Sequence, residues 1–120
     1  MKKILWEPRL SKKSHVSNFI DIVNRKNNLQ IDKYQELYEW SISNPNQFWE
    51  QTWKYSNIIS SSNYHEIVDD ITKMPGAEWF SGAKLNFAEN LLRFRDDRPA
   101  IHYKRENSKI KTITYKHLYS

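Results

Sequence analysis

The 120-residue sequence contains no cysteine. Disulfides, thiolate metal sites and a cysteine nucleophile are therefore excluded, and the composition fits a reducing compartment. Glycine is almost as scarce, with Gly76 and Gly82 the only two. A loop that cradles phosphate needs clustered glycines, so the mononucleotide and dinucleotide fingerprints are missing. No apolar run approaches the roughly 18 residues of a membrane span. Residues 1–8 carry basic side chains but no apolar stretch of signal-peptide length. A cytoplasmic protein with no membrane partner is the resulting expectation. His15, His65, His102 and His117 are scattered without metal-ligand spacing, and no serine lies in a G-x-S-x-G context. The residues thus offer no catalytic, cofactor-binding or metal-ligating candidate.

Aromatic side chains are plentiful, with five Trp, seven Tyr and five Phe against a hydrophobic fraction of 38% and a charged fraction of 28%. Each buried ring removes roughly 150–250 Å² from water. A core of few, large side chains is expected. The net charge of +5 is unevenly placed. Residues 1–13 carry +4, residues 14–92 carry −4 and residues 93–120 carry +5. Basic ends can meet phosphate or nucleic acid, but like-charged runs are ordinarily solvated surface. The Trp residues fall on amphipathic helix faces, where core packing explains them better than base stacking, so nucleic acid is not the expected partner.

Residues 1–13 read as an extended arm, with Pro8 discouraging helix before it and Trp6 as an anchor. A first helix is expected over 15–26, because Val16, Phe19, Ile20 and Val23 form one apolar stripe; Asn27-Asn28 is its stop. A second is expected over 33–42, opened by a capping box of Asp32 with Gln35, with Tyr34, Leu37, Tyr38 and Ser41 on its inner face. A third is expected over 45–55, with Asn44 as cap, Pro45 in the first position and Gln47 bonding back. Phe48, Trp49, Thr52 and Trp53 share a face there, and the Trp pair reads as core. Over 56–73 the pattern allows a short helix or a strand at Ile67, Val68 and Ile71, and Asp69-Asp70 read as surface carboxylates. Residues 74–77 are a turn, Trp79-Phe80 an aromatic anchor and Gly82 a second turn. Asn86 with Glu89 opens a helix over 87–94. Residues 100–103 and 110–114 read as two strands about a turn at 106–108. Thr114 then caps a helix from Tyr115, and the chain ends within two turns of it.

From the residues alone the reading is a mostly helical domain followed by a β-hairpin, an α+β chain. The motifs reach further. Leu5-Trp6-Glu7-Pro8, the Y-x-x-L-x-x-W-S run from Tyr34 to Ser41, and Pro45-Asn46-Gln47-Phe48-Trp49 occur in order. Residues 74–92, MPGAEWFSGAKLNFAENLL, follow, and then Arg98-Pro99-Ala100-Ile101 and residues 112–118. Together they resemble the N-terminal part of acetoacetyl-CoA synthetases over essentially the whole chain. Acetyl-CoA synthetases share the W-F-x-G-x-L-N core, but M-P-G-A and A-E-N-L-L look more like the acetoacetyl branch.

The resemblance implies a parent reaction in which acetoacetate and ATP give an acyl-adenylate and CoA displaces AMP. ATP, Mg²⁺ and CoA would serve the parent, while this chain holds none of them, since the family's catalytic motifs lie beyond position 120. It also implies an organisation: residues 1–95 as the N-terminal domain, and residues 96–120 as the start of the AMP-binding domain. Trp6, Trp40, Phe48, Trp49, Trp79, Phe80, Gly82, Leu85, Asn86 and Asn90 are then structural positions of the family motif. Trp79, Phe80 and Leu85 would be anchors against the catalytic domain, and Gly82 would take a positive φ. The expectation is an N-terminal fragment of an acetoacetate–CoA ligase, inactive alone. Two alternatives stay open: a free-standing interaction module that associates, with itself or a partner, through exposed aromatics, and a fragment of an acetyl- or propionyl-CoA synthetase.

Overall fold

The computed structural model describes residues 14–120; the arm and Trp6 lie outside the described residues. The elements run α1 (His15–Asn27), α2 (Tyr34–Ser43), α3 (Pro45–Tyr55), β1 (Glu66–Val68), β2 (Trp79–Ser81), α4 (Phe87–Leu91), β3 (Pro99–Tyr103), β4 (Lys111–Thr114) and α5 (Tyr115–Tyr119). The fold is α+β, as expected. Among the described residues no helix is long and apolar enough to cross a membrane. The chain divides into two compact units at Asn57 and Ile58.

The first unit is helical. Ser14 caps α1 by accepting a hydrogen bond from the Ser17 amide, which satisfies one of the free N–H groups of the first turn. Phe19, Ile20 and Val23 are buried as the stripe required, and Val23 is fully enclosed. Val16, the fourth member, is 45% exposed and lines an open groove. The helix ends at Asn28, which adopts the left-handed conformation (φ 53°); asparagine tolerates it better than most residues.

The return from α1 to α2 hangs on one side chain. The Asn24 carboxamide donates to the Ile31 carbonyl at 2.8 Å and accepts from the Ile31 amide at 2.9 Å. A primary amide offers a donor and an acceptor side by side, so Asn24 pairs with Ile31 as a neighbouring strand would. This turns residues 29–33 back over α1, and Leu29 and Ile31 pack on the core of Phe19, Ile20, Val23 and Leu37.

The sequence misplaces the start of α2 by one residue. Lys33, not Asp32, is the N-cap, so Glu36 stands three residues in. Its carboxylate accepts from the amides of Asp32 and Lys33 at 2.8 and 3.3 Å. Gln35 instead donates along the helix to Glu39. Of the proposed inner face only Leu37 is buried; Tyr34 and Tyr38 are 67% and 48% exposed.

α2 and α3 share a single junction residue. The Asn44 amide and carboxamide both donate to the Trp40 carbonyl, at 2.9 and 3.1 Å, closing α2. Asn44 makes no side-chain cap to α3, because its side chain is committed backwards; only its carbonyl serves α3, accepting from Phe48. Along α3 the Trp pair is split: Trp53 is half-buried and Trp49 is not. Trp49 is 40% exposed, while Gln51 is buried and Phe48 meets Phe19 edge-to-face at 5.8 Å. The inward face thus keeps Phe48 as expected and takes Gln51 where Trp49 was expected.

The second unit holds two antiparallel hairpins. β1 pairs with β2 in the register Glu66↔Ser81 and Val68↔Trp79, which resolves the ambiguous stretch as a strand. β3 pairs with β4, from Pro99↔Thr114 to Tyr103↔Lys111. Thr114 caps α5 by accepting from the His117 amide, and the Arg95 guanidinium stacks on the Tyr119 ring at 3.7 Å. α4 stops at Leu91, short of the expected 94. The Asn90 carbonyl, which a longer helix would offer to residue 94, accepts instead from the Arg93 side chain at 3.0 Å.

Replacing Asn24 by alanine strands the amide and carbonyl of Ile31, both half-buried. The expected loss is about 1–3 kcal/mol, with faster hydrogen exchange at the Ile31 amide; urea unfolding and amide exchange measure both.

Candidate functional site

The motif residues 74–92 are built as a loop, a short strand and a capped helix. Asp69 organises the loop. Its carboxylate accepts from the Glu78 amide at 2.8 Å and from the Asp70 amide at 2.6 Å, and it pairs with Lys73. Asp70 in turn accepts from the Thr72 amide and hydroxyl at 2.9 and 2.6 Å. The pair read as plain surface carboxylates thus closes the loop between β1 and β2. The signals for this in the sequence are the four-residue spacing to Lys73 and the Asp-x-Thr pattern of a side-chain turn. Lys73 hydrogen bonding, followed by the two amides, lowers Asp69 from its ordinary value to about 2, and the same bond raises Lys73.

Beyond the loop, Phe80 sits on β2 with a positive φ of 52° and meets Tyr64 edge-to-face at 5.4 Å. Gly82 follows with φ 85°, and a Cβ there would lie 2.4 Å from Nδ1 of His65. Glycine is required twice over, by the backbone and by the imidazole. The Lys84 carbonyl accepts from the Ser61 amide at 2.8 Å, and the Lys84 amide donates to the Ser62 carbonyl at 3.1 Å.

Asn86 then caps α4, accepting from the Glu89 amide at 3.2 Å. Asn90 repeats the device of Asn24. It accepts from the Ile59 amide and donates to the Ile59 carbonyl, both at 2.8 Å, and also donates to the Asn86 carbonyl at 3.0 Å. The A-E-N-L-L run therefore ties α4 to a backbone 31 residues earlier. The sequence marked Asn90 as a motif position but gave it no partner, since nothing local foretells Ile59.

Of the remaining motif positions, Trp40 and Phe48 lie against the helical core, 6.5 Å apart. Trp79 and Leu85 point outward, 39% and 52% exposed, in a unit that also exposes Met74, Phe87, Leu91 and Phe94. The structure thus leaves Trp40, Phe48, Phe80 and Asn90 half-buried, while Gly82, Asn86, Trp49, Trp79 and Leu85 are exposed.

No chemistry converges on this surface among the described residues. No three His, Asp or Glu side chains come together as a metal site. His15 is bonded to the Tyr55 hydroxyl at 3.0 Å and His102 to Thr112 at 2.9 Å, in different units. Hydrogen bonds with neighbouring backbone or side-chain groups lower Glu36, Asp70 and Asp96 and raise Arg98. Every resolved shift deepens the ordinary charge state, whereas acid–base catalysis requires a shift toward the working pH.

Comparison with known proteins gives this surface a context. Residues 34–91 match the family model described as acetyl-coenzyme A synthetase N-terminus. The acetoacetyl-CoA synthetase of Gallus gallus is 37% identical over 97% of this chain, which spans 18% of that protein. A malonamoyl-CoA synthetase of Penicillium aethiopicum is 42% identical over 76% of the chain, spanning 13% of that protein. Among solved structures, acetoacetyl-CoA synthetase from Streptomyces lividans superposes on 95% of the chain with a TM-score of 0.82 at 28% identity, and the chain covers 18% of it. This chain therefore spans less than a fifth of the length of these relatives.

Two outcomes test the geometry. Gly82→Ala is expected to destabilise by more than about 1 kcal/mol, because alanine is strained at positive φ, and His65→Ala in the same chain should recover only the part due to the clash. For Asp69, a pKa held below its unfolded value stabilises the fold at neutral pH, and that stabilisation is lost as pH falls through about 2. The stability difference between wild type and Asp69→Asn should therefore shrink steadily between about pH 4 and about pH 2, as followed by chemical denaturation.

Proposed function

We propose that this chain, which shares sequence and fold with the N-terminal part of acetoacetyl-CoA synthetases, is the N-terminal portion of an AMP-forming acid–thiol ligase acting on acetoacetate. The observation that carries the reading is 37% identity across 97% of the chain, joined to the superposition on 95% of it. In that reaction the carboxylate attacks the α-phosphorus of ATP, releasing diphosphate. The CoA thiol then attacks the acyl-adenylate, releasing AMP and acetoacetyl-CoA.

The residues of this chain do not fit the handling of ATP, Mg²⁺ or CoA. Gly76 and Gly82 stand in separate turns rather than a phosphate loop, and no acidic cluster forms among the described residues. No step is assigned to this chain. Its part is packing: Trp79, Leu85, Phe87 and Leu91 are outward apolar groups that the catalytic remainder would cover, gaining roughly 25 cal/mol for each Å² of apolar surface buried.

The two acyl groups named among the relatives narrow the acid. Acetoacetyl and malonamoyl differ only in carrying CH₃ or NH₂ on the same β-carbonyl. The substrate class we assign is a short carboxylic acid with a β-carbonyl. A donor that meets this oxygen goes unpaired with butyrate, at a cost of about 1–3 kcal/mol.

The test joins this chain to the catalytic remainder of the Streptomyces lividans enzyme, its own corresponding segment removed. The chimera should release diphosphate with acetoacetate and CoA, and the isolated 120-residue chain should release none. The natural ligase carrying this segment should prefer acetoacetate and malonamate over butyrate by roughly tenfold or more in kcat/KM, the rate equivalent of that energy. Turnover by the isolated chain, or an inactive chimera whose parent is active, would overturn the reading.

A further inference from the structure

Within the second unit, Ile58–Ser120, Val68 is the one buried apolar side chain among the described residues. α4, α5, β3 and β4 contain no buried residue. The strands form two separate two-stranded sheets. An isolated hairpin is marginal in water until a further strand or a helix covers its apolar face, and a helix of five residues does not hold without tertiary contacts. A domain of about 60 residues is marginal even with an ordinary core. The helical unit differs, because it encloses Phe19, Ile20, Val23 and Leu37 in one cluster.

The uncovered groups lie on particular faces. On β3, Ile101 and Tyr103 alternate to one side, Ile101 is paired with Ile113 of β4, and both Ile101 and Tyr103 are exposed. His102 and Thr112 pair between them and hydrogen-bond to each other. On α4, Phe87 and Leu91 are four residues apart and so share one side of the helix; both are exposed, Phe87 by 79%.

We propose, on the reading of this chain as part of a longer ligase, that the second unit draws most of its stability from the catalytic remainder. Its folding and its docking are then coupled, while the helical unit is stable by itself. Two observations select that occupant. The chain superposes over 95% of its length on a solved enzyme of which it is only 18%, so these uncovered elements share their shape with a segment embedded in a much larger protein. A second copy is the weaker occupant, since residues 93–120 carry net +5 and would face the same charge.

The test is hydrogen exchange, read by mass spectrometry, on the full 120-residue chain and on the chimera with the Streptomyces lividans remainder. In the isolated chain the amides of β1 to β4 and α4 should exchange roughly 100-fold faster than those of residues 19–23, through opening of the second unit alone. In the chimera they should slow by roughly 100-fold, with residues 19–23 unchanged. Equal protection of both units in the isolated chain overturns the proposal, as does fast exchange of the second unit in an active chimera. An inactive chimera that shows the slowing supports the coupling and counts only against the ligase reaction. Slowing in the isolated chain as its concentration rises would put a second copy on these faces and overturns the proposal. If the chimera does not fold, Phe87→Ser in the 120-residue chain decides. Exchange in the second unit should stay within about twofold, the size of a surface substitution; a tenfold acceleration would show that the ring is already used within the chain and overturns the proposal.

Discussion

An asparagine carboxamide laid against a single backbone residue is the contact on which each unit turns, Asn24 on Ile31 and Asn90 on Ile59. The buried hydrophobic core among the described residues is small, consisting of Phe19, Ile20, Val23 and Leu37 in one unit and Val68 in the other. A small core cannot by itself fix the path of a connecting segment. A half-buried peptide group without a partner is costly, and a primary amide can satisfy both of its polar atoms in one plane. Asn24 thereby sets where α2 begins, and with it the groove that α1, α2 and α3 enclose. Asn90 does the same for α4, which has only five residues and is too short to be stable without tertiary contacts.

The same economy governs the polar groups of the second unit. The polar side chains near the family motif are spent on backbone: Asp69 and Asp70 on the loop, Asn86 and Asn90 on α4, and Arg93 on the end of that helix. Asp69 and Asp70 are thereby held in the charge state they already prefer. The second unit also carries outward apolar residues. The relatives agree in kind, because two proteins named for different acyl groups share this segment at comparable identity.

The sequence was legible wherever a local pattern sufficed. α1 and α3 follow from apolar spacing and proline position, and the β3–β4 hairpin and the Thr114 cap follow from alternation and a capping residue. It misled where two local signals competed for one residue. Asn44 was read as a helix start, yet its side chain closes the preceding helix. Asp32 with Gln35 imitated a capping box that Lys33 and Glu36 displace by one position. The face of Phe48, Trp49, Thr52 and Trp53 expected on α3 turns inward at Phe48, but Trp49 faces outward and Gln51 is buried.

The sequence by itself determined the class of fold, most element boundaries and the resemblance to acyl-CoA synthetases, because these rest on periodicity, turn residues and the order of motifs along the chain. Tertiary structure alone decided which motif residues face inward and which face out, that Asn90 binds Ile59, and that Gly82 lies under the His65 ring. Those facts depend on contacts between residues far apart in the chain. No local propensity encodes such pairs; they follow only once the backbone has closed.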